Sequence, residues 1–238
     1  MKKILERKYN KKMCNIKVVS ININNYKEWL LKKHYLKRLP SISYSFGLFE
    51  NKLLVGVCTF GNAIPNVVKK SICGEKFMHL VYELNRLCTN DNLPKNINSF
   101  FVSRSLKMLP KPLIIVSYAD KSVGHNGYIY QACNFIYTGK SHTQKDWKLK
   151  GSENKHSRTL MDEFAFQNNR IQKLKEKHGD KLYQVQRPEK HRYIYFLGNK
   201  TQKKTFHKYS KFKNQPYPKG NNKKYDASYK PDVQLTIL

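Results

Sequence analysis

The stretch that most constrains this chain is Leu113–Tyr118, a continuous apolar run ending on Ala119-Asp120 and followed by Gly124-His125-Asn126-Gly127. A strand that is apolar at nearly every position has no polar face to give to water, so it belongs inside a sheet covered on both sides. A helix expected over Tyr128–Asn134 supplies one such cover. The chain is therefore of the α/β class, and Asp120 falls just past the C-terminal end of the buried strand. In open α/β sheets that edge is where sites assemble.

The rest of the first 139 residues fits around that strand. Ile16–Ile21 reads as a short strand, and Asn24 or Asn25 can cap a helix through Tyr26, Trp29, Leu30 and Leu31. Tyr44–Glu50 and Lys52–Phe60 read as a hairpin turning at Glu50-Asn51-Lys52. Gly61–Lys76, with Pro65 and Gly74, reads as a loop, and Phe77–Cys88 as a strand on the period-two alternation of Tyr82–Leu87. Ser99 is expected to cap a helix through Phe100, Phe101, Val102, Leu106 and Leu109, stopped by Pro110, and Phe135–Thr138 to begin the last core strand. This succession predicts a mixed central sheet flanked by helices, in the order found in the GNAT acyltransferase class.

Charge narrows the partner. The 238 residues carry 46 Lys and Arg against 16 Asp and Glu, a net charge of +30. AT-rich coding favours Lys, Asn, Ile and Tyr, but it does not deplete Asp and Glu. A compact chain so charged repels itself unless a polyanion compensates, and nucleic acid is the commonest one. Residues 1–139 hold 22 basic and 7 acidic side chains, and 140–238 hold 24 and 9, so the shorter second part is denser in charge. Two regions follow: a catalytic core over 1–139 and a basic, aromatic-rich extension over 140–238 that contacts DNA, its last 20 or so residues flexible. Within 200–224 nine Lys and no acidic residue alternate with Phe206, Tyr209, Phe212 and Tyr217, with Tyr225 just beyond. Lys203, Lys204, Lys208, Lys211 and Lys213 are the candidates for phosphate tracking, with base stacking by the aromatics. Arg192–Leu197 reads as an ordered strand. Only 8 of the basic residues are Arg, so Arg86, Arg104, Arg158 and Arg192 are candidates for the bidentate geometry that Lys lacks.

Other classes fall away. The longest apolar runs are far below the ~20 residues of a membrane span, and Met1–Lys8 has no secretory apolar core. The five cysteines show no CxxC and no paired spacing with His, so neither a zinc ribbon nor a disulfide framework is expected. Cys58 and Cys88 read as buried thiols of a reducing cytoplasm.

The candidate chemistry gathers near Asp120. Tyr130, in the first turn of the following helix, can face the same crevice, with His125 and Tyr128 between them. Glu83 and Arg86 lie on the neighbouring strand. Three residues apart, they are expected to point to opposite faces, so that only one reaches the crevice. His34-Tyr35, rimmed by Lys32, Lys33, Lys37 and Arg38, can deprotonate an amine or bind a metal.

The run Ser117-Tyr118-Ala119-Asp120, then Gly124-His125-Asn126-Gly127, then Ile129-Tyr130-Gln131-Ala132-Cys133-Asn134-Phe135 resembles the signature of the phage Mom DNA-modification family. Family-like satellites are His34-Tyr35, Glu83-Leu84-Asn85-Arg86-Leu87, Ser103-Arg104-Ser105, His156-Ser157-Arg158-Thr159-Leu160, Arg192–Phe196 and Pro216-Tyr217-Pro218-Lys219. The match spans roughly 34–219. It implies a GNAT-like fold and conversion of adenine N6 to N6-carbamoylmethyladenine in phage DNA, inside the bacterial host's cytoplasm, as a shield against restriction. It further implies catalytic roles for His34, Tyr35, Ser105, Asp120 and Tyr130, and donor binding by Arg86 and Arg104. The partners implied are double-stranded DNA with a flipped adenine and an acyl-type donor, acetyl-CoA or a glycyl carrier. Iron has been associated with the family, and His34 is the candidate ligand. The chain departs from ordinary GNAT enzymes at one place: Asn90–Ser99 contains no glycine where they carry a pyrophosphate-cradling turn. The competing readings are a non-catalytic basic DNA-binding protein and a conventional GNAT N-acyltransferase.

Overall fold

The computed structural model describes residues 15–62, 64–121, 124–153, 155 and 157–220. The tail expected over 219–238 lies outside the described residues from 221 onward, as do Tyr225, Ser122, Val123 and His156. Among the described residues nine strands and seven α-helices follow in chain order: β1 (Ile16–Ser20), α1 (Ile23–Glu28), β2 (Tyr44–Glu50), β3 (Leu53–Gly61), α2 (Asn66–Cys73), β4 (Val81–Thr89), α3 (Ile97–Met108), β5 (Leu113–Asp120), α4 (Tyr128–Ala132), β6 (Ile136–Lys140), β7 (Gln144–Leu149), α5 (Ser157–Asp162), α6 (Arg170–His178), β8 (Leu182–Arg187), β9 (Lys190–Leu197) and α7 (Lys200–Tyr209).

Seven strands form one sheet in the order β1-β2-β3-β4-β5-β9-β6, and β7 with β8 forms a separate ribbon. Of these strands only β4 and β5 run parallel; every other neighbouring pair is antiparallel. The mixed sheet flanked by helices is the architecture expected. β5 is covered on both faces: Leu113, Ile115 and Ala119 join one apolar cluster, and Ile114 and Val116 join the other. Cutting a fully buried isoleucine such as Ile115 back to alanine costs about 2–5 kcal/mol. The β2–β3 turn uses Asn51 and Lys52 at φ 50° and 70°, the left-handed pair that matches strand twist in a two-residue hairpin. Cys58, Cys73, Cys88 and Cys133 are buried free thiols.

Four sequence expectations need correction. Gly61–Lys76 is not a loop throughout, because α2 occupies Asn66–Cys73. Pro65 and Gly74 bracket that helix: Pro65 precedes its first turn, where no backbone donor is needed, and Gly74 closes it at φ 75° with its N–H on Lys70 O. The next strand begins only at Val81, after a 3-10 turn over Glu75–Leu80. The helix α1 is capped by the Asn22 side chain rather than by Asn24 or Asn25, and α3 starts after Asn96, which makes no side-chain cap, rather than at Ser99.

The largest correction is that β6 is not the last core strand. β9, from beyond residue 139, inserts between β5 and β6. It pairs with the whole of β5, from Leu113 with Leu197 to Asp120 with Lys190, and buries Tyr193, Ile194, Phe196 and Leu197. No helix among the described residues is long and apolar enough to cross a membrane.

Candidate functional site

β4 and β5 stay paired only over Val81–Glu83 with Ile114–Val116. Beyond that the strands part, and the Ser117 hydroxyl spans the opening by donating to Leu84 O at 3.0 Å. The neighbouring β3–β4 ladder is irregular at the same level. Thr59 pairs with Arg86 and Phe60 with Leu84, which leaves Asn85 as an extra residue in β4. The Thr59 hydroxyl donates to Asn85 Oδ1 at 2.6 Å, and Asn85 Nδ2 donates to Ser41 O at 3.0 Å. A bulge of one residue shifts the alternation by one. Glu83 and Arg86 therefore share a face, contrary to the expectation that they diverge, and each is the other's strongest charged neighbour.

His34 and Tyr35 approach from β1's side of the sheet. α1 widens into a single π turn over Trp29–Lys33, which ends when His34 N–H donates to Trp29 O at 3.0 Å. His34 is 4% exposed and stacks on Tyr35 with ring centroids 4.5 Å apart. Its Nδ1 accepts the Leu36 N–H at 3.2 Å, which places the proton of the neutral ring on Nε2. Burial pulls the imidazole pKa down to about 3, with Arg86 and His125 adding to the shift. His34 is thus a neutral donor, and the sequence reading of it as an amine base does not fit this tautomer. Tyr35 also meets His125 edge-on at 6.4 Å. Burial raises the Tyr35 phenol, and Asp120, Tyr130 and Glu83 raise it further against the opposing Arg86.

Asp120, 7% exposed, is ion-paired with Lys190 at 2.8 Å. Arg187 also feels Asp120 while holding Asp146. The loop after Asp120 is fixed by His125 N–H donating to Asp120 O at 3.1 Å. At Gly127, φ is 75°, and a Cβ would lie 2.4 Å from the Tyr193 ring, so glycine is the residue that lets the loop close there. Tyr193 in turn donates its hydroxyl to Asn126 O. Tyr130 packs against Tyr193 and Phe135 at 5.3 and 5.5 Å. Burial pushes its phenol up to about 12, opposed by a hydrogen bond with Ser117. His34, Tyr35, Glu83, Arg86, Asp120, His125 and Tyr130 are thus one electrostatically connected group at the parting of β4 and β5.

The second part of the chain adds to this crevice, through Arg158, which the sequence marked, and through Lys190 and Asp162, which no sequence motif signalled. Lys190 and Arg158 both act on Glu83, whose carboxyl burial raises above its usual pKa. Asp162 of α5 holds Arg38 at 2.6 Å, and Arg38 O accepts from Arg86 Nη2 at 3.4 Å. Arg86 Nε is buried without a hydrogen-bond partner. Two acids thus face three bases, and an orphaned guanidinium donor adds an anion-binding group.

Other candidates lie elsewhere. Ser105 is fully buried on α3, facing the core; its hydroxyl lacks a partner of ordinary hydrogen-bond geometry, although the Cys58 thiol feels it. Arg104 points outward over Phe100 at 5.3 Å and, with Asn96, Ser103 and Lys107, lines a cavity of about 460 Å³. Arg192 stacks on Phe212 at 3.4 Å and donates to Thr138 O and Oγ1, so it braces the fold. The lysine helix α7 seats Phe206 on Phe77 and Phe196, beside the start of β5. Lys203, Lys204 and Lys208 therefore sit toward the end of the sheet opposite Asp120, about 23 Å along an eight-residue strand. Lys203 lies over Tyr195 at 5.9 Å, and Lys213 lines a second cavity of about 290 Å³. After Lys211 the chain runs back along β6. Gln215 N–H donates to Tyr137 O, Tyr217 OH to Phe135 O, Gln131 Nε2 to Pro218 O and Tyr128 OH to Gly220 O. Among the described residues no three His, Cys, Asp or Glu side chains gather to hold a metal ion. Among the described residues the crevice therefore offers iron no three-ligand set.

The Mom protein family profile matches residues 15–219. The methylcarbamoylase Mom of Escherichia phage Mu is 33% identical over 193 residues, which cover 79% of this chain and 77% of that one. Among solved structures, a variant of spermidine N-acetyltransferase from Vibrio cholerae aligns with TM-score 0.43 and 8% identity, covering 82% of this chain and 98% of that one. An acetyltransferase of Bacillus subtilis in complex with CoA aligns with TM-score 0.37 and 16% identity, covering 76% and 99%.

Proposed function

This chain belongs to the Mom protein family, and from that premise we propose that it converts adenine N6 to N6-carbamoylmethyladenine in phage DNA, within the bacterial host's cytoplasm, shielding the DNA from restriction. The observation that carries the reading is the meeting of Asp120, Tyr130, Tyr35 and Arg86 at one crevice in a chain 33% identical to a methylcarbamoylase.

The exocyclic amine of adenine is a weak nucleophile and must lose a proton as its new bond to carbon forms. Asp120 is the acceptor for that proton, oriented by Lys190. Tyr130 and Tyr35, whose raised pKa values keep them protonated, donate hydrogen bonds to the base or the leaving group. His34 does the same through Nε2–H. Arg86, through its unpaired Nε, holds an anionic part of the donor. The carbamoylmethyl group has the skeleton of glycinamide, which a glycyl carrier supplies; acetyl-CoA, the other candidate acyl-type donor, lacks the nitrogen, and its simple transfer would yield an amide. Arg104, beside Lys107 at a separate cavity on α3, is the second donor-binding candidate, for an outer anionic group. Ser105 acts from the core, behind Tyr130.

N6 becomes reachable when the adenine leaves the stack, at a cost of a few kcal/mol that contacts to the duplex offset. A duplex laid along β5 would meet Lys203, Lys204 and Lys208 about 23 Å from the target and Lys211 and Lys213 where the chain turns back along β6, and all five would track phosphates. The test is mass spectrometry of nucleosides from DNA of cells expressing the protein. The expected result is carbamoylmethylated deoxyadenosine with the natural chain and none with Asp120→Ala. Unmodified deoxyadenosine alone in both would overturn the proposal.

A further inference from the structure

Phe166 is fully exposed, at 107% of its reference area, although phenylalanine is among the side chains with most to gain from burial. Among the described residues it is the one aromatic left wholly uncovered. Its backbone sits at φ 67°, in the left-handed region that bulky residues rarely adopt. The turn is held on both sides: Ala165 N–H donates to Asp162 O at 3.0 Å and Gln167 N–H to Phe164 O at 3.2 Å. The two phenylalanines differ in use. Phe164 lies beneath Lys177 at 5.6 Å, whereas Phe166 projects from the tip between α5 and α6. The base of the tip is anchored by Leu160 and Leu174, both fully buried.

This tip belongs to the crevice lobe. Asp162, four residues before Phe166, binds Arg38, whose carbonyl accepts from Arg86. The Phe166 backbone is thus within ~14 Å of that ion pair, the reach of four residues. Its surroundings suit a polyanion: Arg170 is exposed, and Lys173 reaches back to Gln167 at 2.7 Å.

We infer that Phe166 is a wedge that enters the base stack of duplex DNA beside the target adenine and holds open the step the adenine vacates. An apolar side chain presented on a hydrogen-bonded turn can unstack a base step and occupy it. The cationic Arg170 and Lys173 follow the turn, and the carboxylates before it, Asp162 and Glu163, are held by Arg38 and Lys177. The inference rests on the proposed action on adenine, and it adds the means by which a paired base becomes available. Phe166 is a positioning residue and takes no part in the chemistry.

The experiment uses the full chain and Phe166→Ala, Phe166→Trp and Asp120→Ala variants. Plasmid adenine modification is read by mass spectrometry. Base extrusion is read, without donor, from fluorescence of a random-flanked duplex pool carrying one 2-aminopurine. Phe166→Ala should lower plasmid modification about tenfold or more and remove the fluorescence rise on duplex. It should leave the melting temperature and the affinity for the single-stranded pool unchanged, and Phe166→Trp should restore both losses. Asp120→Ala should keep the fluorescence rise while losing modification. Natural levels of both readouts in Phe166→Ala, or an equal loss of affinity for single strand, would overturn the wedge. Absence of modified adenine with the natural chain, alongside a Phe166-dependent fluorescence rise, would overturn the chemistry and uphold the wedge.

Discussion

Lys190 Nζ lies 2.8 Å from Asp120 Oδ2, across a register pair that joins β9 to the last residue of β5. The side chains are unequally sheltered, with Lys190 27% exposed and Asp120 9%. Removing one partner therefore has different consequences at the two ends. Lys190→Met removes an ion-pair partner of a buried carboxylate and should cost about 1–3 kcal/mol, less than breaking a fully buried pair because water still reaches the ammonium and Arg187 still acts on Asp120. Asp120→Asn leaves an ammonium that can hydrate, so it should abolish modification at a smaller stability cost. Urea unfolding of both variants, beside nucleoside mass spectrometry, checks the asymmetry.

The His34 imidazole makes stability fall in acid. Its folded pKa, near 3, lies below the unfolded value of 6.5, so the unfolded chain binds the extra proton between those values. The contribution is whole above pH 6.5 and is lost as pH falls toward 3, at about 1.4 kcal/mol per pH unit once well below 6.5. His125 and His191, also lowered by burial, act in the same direction. Urea midpoints at pH 7 and pH 5 should separate widely in the natural chain and less in His34→Gln.

Gly61 secures the bulge that turns Glu83 and Arg86 to one face. A Cβ there would stand 1.8 Å from Ser41 O and 2.6 Å from Asn85 Nδ2. Gly61→Ala must push the Ser41 segment off Asn85, costing about 1–3 kcal/mol. It should reduce modification by more than its stability loss predicts, because Arg86 moves with Asn85. Melting temperature and modified-adenine yield at a temperature well below melting separate the two effects.

Neutralising Lys203, Lys204, Lys208, Lys211 and Lys213 to Gln should weaken DNA binding in a salt-dependent way. Every phosphate that the variant no longer neutralises should flatten the slope of log affinity against log salt by about 0.9. The crevice end of the sheet should be untouched, since Phe206 rather than the lysines seats α7. Filter binding over a range of salt concentrations gives the slope, and an unchanged slope would remove α7 from the DNA path.

Much of the frame was legible because it is local. The two-faced apolar run of β5, the glycine loop and the residues of the β2–β3 turn each carry their geometry in consecutive positions. So do His34-Tyr35 and the Asp120–Tyr130 signature. What stayed hidden depends on distant partners. The Asn85 bulge is imposed by Ser41 and Thr59, which lie 44 and 26 residues away. β9 resembles any amphipathic strand until it is seen between β5 and β6. Lys190 is one lysine among many in a chain with 46 basic residues, and only its register with Asp120 distinguishes it. Pro65 and Gly74 were legible as punctuation, but the same residues mark a loop or bracket a short helix.

The place of β9 has a consequence for synthesis. When the ribosome has made β5, the strand that will flank it is still about 70 residues away, and β5 waits with an open edge. At ordinary elongation rates that interval lasts roughly 4–15 s. An unpaired apolar strand is a template for association with other chains, so growing chains are most exposed to aggregation in this window. The arrival of Lys190–Leu197 ends it by closing the sheet and delivering Lys190 to Asp120 in one event. A nascent chain therefore has no finished crevice until Lys190–Leu197 has emerged, and synthesis itself sets when the enzyme can first touch DNA.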